Sequence, residues 1–112
     1  MDTVINALTI DRQGNIWVGT YRNGLYRLRP SPAVTYGVPE GLRSDNAYAV
    51  HVSASAPDTV WVGTLRGGLA RIDRSTGRVD ASPLPTPARP SVVWTVWQEP
   101  SGRLWIGGEG LR

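Results

Sequence analysis

An all-β fold assembled from repeats is what this sequence predicts, and three observations carry the prediction. The phrase Trp17-Val18-Gly19-Thr20 returns as Trp61-Val62-Gly63-Thr64 and, slightly altered, as Trp105-Ile106-Gly107-Gly108, each interval being 44 residues. The echo reaches outward: Gly24-Leu25 and Gly68-Leu69 begin seven positions after their Trp, and Leu8, Val52 and Val96 lie nine positions before it. Between the copies, runs of β-branched and apolar residues alternate with Gly, Pro, Asn and Asp turn signals. A constant period of this size belongs to four-stranded antiparallel propeller blades, which run about 40–50 residues each. The 112 residues hold two full periods and part of a third, whereas closed propellers use about four to eight blades. An incomplete propeller, a piece of something larger, is therefore expected.

Taken in order, Val4 to Ile10 reads as a strand, and Asp11-Arg12-Gln13-Gly14-Asn15 supplies the turn of a hairpin. The return strand is Ile16 to Thr20, with Ile16 and Val18 on one face and Trp17 and Gly19 on the other. Large apolar groups on both faces predict a sheet covered on both sides. Arg22-Asn23-Gly24 turns into a third strand, Leu25 to Leu28, and Arg29-Pro30-Ser31-Pro32 interrupts the ladder because proline cannot donate to it. Val34-Thr35-Tyr36 forms the outer edge, and residues 37–45 carry the chain back to the centre. This is blade 1 with its connector, residues 1–45. Blade 2, residues 46–90, repeats the order with strands at 46–53, 59–64, 68–73 and 78–82, then a proline-rich connector from Ser82 to Pro90. Residues 91–112 supply the first half of blade 3, with strands at 92–98 and 103–107 and Gly110-Leu111 arriving two positions early.

Composition narrows the function. A chain that is 40% hydrophobic and 19% charged is globular. All twelve basic residues are Arg and the net charge is only +3, with no basic run of the kind that binds nucleic acid. Cysteine is absent, so no thiolate metal site or disulfide can form. No apolar stretch approaches the length of a membrane span, and no direct membrane contact is expected. No secretory leader follows Met1, which predicts a cytoplasmic location if Met1 is the true start.

The stretches Ile10 to Thr20 and Asn23-Gly24-Leu25-Tyr26-Arg27 resemble the two-component regulator propeller repeat: an acidic residue, a glycine turn, Trp-apolar-Gly-Thr, then Gly-Gly-Leu before an Arg. Gly67-Gly68-Leu69-Ala70-Arg71 matches that last element, and Gly41 to Asn46 resembles the family's connector into the next blade. The sequence departs from the pattern at Asn23, at Ser55 and Asp58, and at Gly108. The resemblance implies one or two seven-bladed sensor propellers, commonly facing the periplasm and in many cases carbohydrate-responsive, joined through a spanning helix to a histidine kinase or diguanylate cyclase in a longer parent. Val60 to Thr64, Ile72-Asp73 and Thr76-Gly77-Arg78 are also similar to the quinoprotein-type propeller repeat. That likeness implies an enzymatic alternative; a protein-interaction scaffold is the other.

Trp17, Trp61 and Trp105, with Gly19, Gly63 and Gly107, are expected to pack blade against blade. Trp94 and Trp97 have no tryptophan counterpart in the other periods, which makes them ligand-platform candidates against a competing reading as core; three apart on a strand they should face opposite ways, so only one can line any given pocket, and Trp94 is the one taken as a candidate site residue. Arg22 and Arg66 occupy equivalent turns that share a rim with Arg43-Ser44-Asp45, which suits an anionic or polyhydroxylated ligand such as a carbohydrate; solvated turns are the competing reading. Arg27 and Arg71 are expected to pair with carboxylates of a neighbouring blade. His51 is the one histidine and without Cys gives no metal constellation. No nucleophile motif or phosphate loop is present, so a non-enzymatic segment without cofactor or metal is expected, its partners being further propeller blades or a second copy.

Overall fold

A computed structural model describes residues 4–11, 14–28, 34–53, 56–81 and 92–108. The predicted proline-rich connector, the Arg29 to Pro32 interruption and Gly110-Leu111 lie outside the described residues. The strands run β1 (Ile5–Ile10), β2 (Ile16–Thr20), β3 (Leu25–Arg27), β4 (Val34–Tyr36), β5 (Ala47–Val52), β6 (Thr59–Thr64), β7 (Gly68–Asp73), β8 (Arg78–Asp80), β9 (Val93–Gln98) and β10 (Leu104–Gly108). A 3-10 turn, Val38–Glu40, interrupts the connector between β4 and β5.

These form two four-stranded antiparallel sheets in the order β1-β2-β3-β4 and β5-β6-β7-β8, and a two-stranded sheet of β9 and β10. They are successive blades of a propeller, with β1, β5 and β9 as the inner strands. Each Trp-x-Gly phrase falls on the second strand of its sheet, at β2, β6 and β10.

The blades stack through two seams of one design. In the first, Trp17, Leu25 and Tyr36 of blade 1 meet Ala47, Val60, Val62, Ala70 and Ile72 of blade 2 in one buried cluster, which Leu42 of the connector joins. In the second, Trp61, Leu69 and Ala49 of blade 2 meet Val93, Val96 and Ile106 of blade 3. Glycine at the third place of the phrase lets the sheets approach this closely. A Cβ on Gly19 would lie 3.0 Å from the Ala47 carbonyl oxygen, and one on Gly63 would lie 2.6 Å from Val93 Cγ1 and 2.8 Å from its carbonyl oxygen.

The tryptophans share their local setting and differ in cover. A guanidinium lies over each indole, Arg27 over Trp17, Arg71 over Trp61 and Arg103 over Trp105, 5.7–5.8 Å from the ring centre. Trp17 is fully buried and Trp61 is 7% exposed, but Trp105, whose face has no further blade against it among the described residues, is 40% exposed. The doubly covered setting expected for all three thus holds for two. Arg27 and Arg71 also depart from expectation: both stack within their own blade, and Arg71 pairs with Asp80 of β8 at 2.9 Å.

The register corrects one alignment. Leu8 pairs with Val18 and Val96 with Ile106, and in blade 2 the residue opposite Val62 is Val50. The structural counterpart of Leu8 is therefore Val50 rather than Val52, because the first hairpin of blade 2 is two residues longer. Constant spacing between tryptophans hides this, since the extra residues are offset elsewhere in the period.

Candidate functional site

The rim at one end of the blades is built from the turns after β2 and β6 and from the 43–46 connector. Thr20 and Thr64, both buried, close these turns by donating from Oγ1 to the carbonyls of Gly24 and Gly68 at 2.6 and 2.7 Å. The closure forces Arg22 and Arg66 into the left-handed region, at φ +75° and +71°, where a non-glycine residue is uncommon. Both side chains are exposed. The Arg22 guanidinium lies 4.9 Å from the centre of the Tyr21 ring.

The connector is tied to both turns. Arg22 donates its backbone N–H to Asn46 Oδ1 at 2.7 Å, and Gly24 donates to the Asp45 carbonyl at 2.8 Å. Against the second turn, a Cβ on Gly67 would sit 3.0 Å from Ser44 Cβ and 3.1 Å from Arg43 Cβ, so Arg43 lies beside the Arg66 turn. The structure thus brings Arg22 next to Asp45 and Asn46, and Arg66 next to Arg43, along one rim. Asp45 has an internal task as well: its Oδ1 accepts from Val38 N at 2.8 Å and fixes the 3-10 turn.

Trp94 belongs to a feature that sequence reasoning missed. In each inner strand the register slips by one residue at the same place: between Ile5 and Ala7, between Ala47 and Ala49, and between Val93 and Thr95. Each slip is a β-bulge, a device that re-aims a side chain. The bulged residues are Asn6, Tyr48 and Trp94, at the rim end of the inner strands. Asn6 donates from Nδ2 to the Ala47 carbonyl at 3.2 Å, bridging blades 1 and 2. Tyr48 and Trp94 bring their ring centres to 4.8 Å at 42°, and Trp94 stays 53% exposed. The bulge also changes the parity argument for Trp94 and Trp97. Trp97 pairs with Trp105 across β9 and β10, at the far end from the rim, 49% exposed. The signal available in the sequence was the triplet Ile5-Asn6-Ala7, Ala47-Tyr48-Ala49, Val93-Trp94-Thr95, masked by the uneven hairpin.

Two other places carry polar and titratable side chains. A cleft on the outer part of blade 2 is lined by Thr59, Arg71, Asp73, Arg78 and Asp80 among others. Its charges are largely engaged: Arg71 binds Asp80, and Asp73 accepts from Ser75 Oγ and N at 2.6 and 3.0 Å. Those bonds from Ser75 hold the Asp73 carboxyl below its ordinary value. His51 lies in the second seam with its ring centre 6.4 Å from that of Trp97, and burial holds its imidazole below the ordinary 6.5, against a smaller opposing effect of a hydrogen bond with the Gln98 backbone. Among the described residues no group of acidic, histidine or cysteine side chains could hold a metal ion. Among the described residues no helix is long and apolar enough to cross a membrane.

The family model described as two component regulator propeller matches residues 1–22, which cover β1, the first turn and the Trp17 phrase. No curated relative matches in sequence. Among solved structures, the chain is similar to the extracellular domain of the hybrid two component system BT3049 from B. thetaiotaomicron, with 23% identity and a TM-score of 0.73 over 96% of this chain. It is also similar to the extracellular domain of the one component system BT4673 from the same organism, with 18% identity and a TM-score of 0.74 over 95%. The chain spans 15% of the length of each of these structures. At this identity the likeness establishes the fold.

Proposed function

We propose that the chain is a non-enzymatic segment of a ligand-sensing propeller in a two-component-type regulator, with a carbohydrate as ligand. The observation that carries this reading is the repeated bulge, which sets Asn6, Tyr48 and Trp94 at the rim end of the inner strands and leaves Trp94 exposed beside a half-buried Tyr48. An aromatic shelf receives the apolar face of a pyranose, while Asn6 and the rim arginines supply donors for hydroxyl or carboxylate oxygens. The match of residues 1–22 to the two component regulator propeller model supports the regulatory context, and the similar structures, described as extracellular domains, support a periplasmic position. Signal output, as histidine kinase or diguanylate cyclase, belongs in this reading to other domains of a longer parent.

Glycan-array screening followed by thermal-shift titration tests it. A neutral or acidic oligosaccharide should raise the melting temperature with a saturating dependence. Trp94→Ala or Tyr48→Ala should weaken binding at least tenfold, and Trp97→Ala should leave it unchanged. Equal binding by Trp94→Ala and the wild type would remove the shelf from the account.

A further inference from the structure

The turns after β2 and β6 repeat one unusual choice. Arg22 and Arg66 stand at φ +75° and +71°, a region in which glycine is relaxed and a larger residue is strained. Two blades thus keep a guanidinium at a position where stability alone favours glycine, and strain retained in this way is a feature of functional sites. One residue of the connector draws the two turns together. Asn46 Oδ1 accepts from Arg22 N at 2.7 Å, and the Asn46 carbonyl accepts from the N–H of Leu65, the residue before Arg66, at 3.0 Å. Arg43 stands beside the second turn, and all three arginines are exposed. The carboxylates of the same connector are committed to its backbone: Asp45 Oδ1 accepts from Val38 N at 2.8 Å and Glu40 Oε1 from Gly37 N at 2.6 Å. Among the described residues neither Arg22 nor Arg66 meets a carboxylate, whereas Arg71 and Arg74 in the outer half of blade 2 do, at 2.9 and 2.6 Å. The cluster lies between the two four-stranded blades, each turn being flanked by strands of its own sheet.

Building on the carbohydrate reading proposed above, we infer that this rim holds the acid group of an anionic saccharide, a uronate carboxylate or a sulfate ester, while Tyr48 and Trp94 receive a neighbouring pyranose. Tyr48 follows Asn46 by two residues, about 7 Å along extended chain, so one short oligosaccharide reaches both. Arginine suits the task, because its planar fork gives two parallel N–H bonds to the oxygens of an acid group and keeps its charge throughout the working pH range. The rim thereby selects charge, and the aromatic pair selects the ring.

A glycan array in which each uronate- or sulfate-bearing oligosaccharide stands beside its carboxyl-reduced or desulfated form tests this on the 112-residue chain. The acidic member of a pair should bind roughly tenfold tighter or more, and the kind of pair that binds tells carboxylate from sulfate. In thermal-shift titration with that acidic oligosaccharide, added salt should weaken binding, since exposed charges are screened. Arg22→Gly and Arg66→Gly remove a guanidinium and relax the backbone, so each should keep the melting temperature of the free chain and lose about fivefold or more in affinity for the acidic member. Arg78→Gln removes the same charge from β8 and should alter neither quantity. Equal binding of both members of every pair would overturn the inference and leave the carbohydrate reading standing, and no binding of any member would remove the two together. Full acidic preference in both glycine variants, a melting temperature that falls along with their binding, or an equal loss in Arg78→Gln would each overturn it as well.

Discussion

At the scale of single residues, the acidic residue of the first hairpin acts through the indole. Asp11, itself buried, accepts from Trp17 Nε1 at 3.0 Å and from the backbone and side-chain nitrogens of Asn15. Glu99 repeats the contact with Trp105 Nε1, six residues on in both cases. Blade 2 has Ser53 at the corresponding place after its inner strand, and Trp61 donates instead across the seam to Gln98 Oε1 at 3.2 Å. Asp11→Ala leaves a fully buried indole N–H without this acceptor and should lower stability by about 1–3 kcal/mol, read as an earlier midpoint in urea. His51 predicts a pH effect of definite sign. Its folded value lies below 6.5 because burial disfavours the charged form. The unfolded chain therefore protonates first, so the contribution is intact above 6.5 and is lost as pH falls through 6.5 towards the folded value. Melting temperatures at pH 7 and about pH 5.5 should differ less in His51→Gln than in the wild type; an unchanged difference would discard this role.

At the scale of the element, the second strand of each blade was the most legible feature of the sequence. Residues 16–20 and 59–64 are strands over the predicted spans, and 68–73 and 34–36 likewise. They were legible because Trp, Gly and Thr at those places each answer a fixed demand: an indole for the seam, a missing Cβ for the approach of the next inner strand, and a hydroxyl for the turn. The bulges were not legible. A bulge is a relation between two strands, and the longer hairpin of blade 2 moves Tyr48 to thirteen residues before its Trp, whereas Asn6 and Trp94 stand eleven before theirs. The rim arginines could be placed from turn equivalence alone, but their left-handed backbone depends on closure by Thr20 and Thr64. The glycine demand differs between seams. Gly63→Ala forces a Cβ against backbone and side chain of Val93 and should cost about 1–3 kcal/mol by crowding. Gly107→Ala meets only the Thr95 methyl, which a change of rotamer can relieve, and should cost less. Paired chemical denaturation of the two variants checks the order.

At the scale of the molecule, stability is the sum of blades and seams, as in other stacked repeats. The exposure of the three tryptophans follows from position in the stack: the same residue in the same register is closed at Trp17, nearly closed at Trp61 and open at Trp105. The rim and the bulges depend on that stacking, because Asn6 bridges to Ala47 and Tyr48 meets Trp94 across two different blades. Loosening a seam should therefore weaken ligand binding as well as stability, and Gly63→Ala should reduce the thermal shift produced by an oligosaccharide even though it lies outside the shelf. The most direct test of the stack is a nuclear Overhauser spectrum of methyl-labelled protein. Stacked blades should give cross-peaks from the Gly19 α-protons to the Ala47 methyl and from the Gly63 α-protons to the Val93 methyls. Spectra in which both glycines see only protons of their own sheet would contradict the stacking.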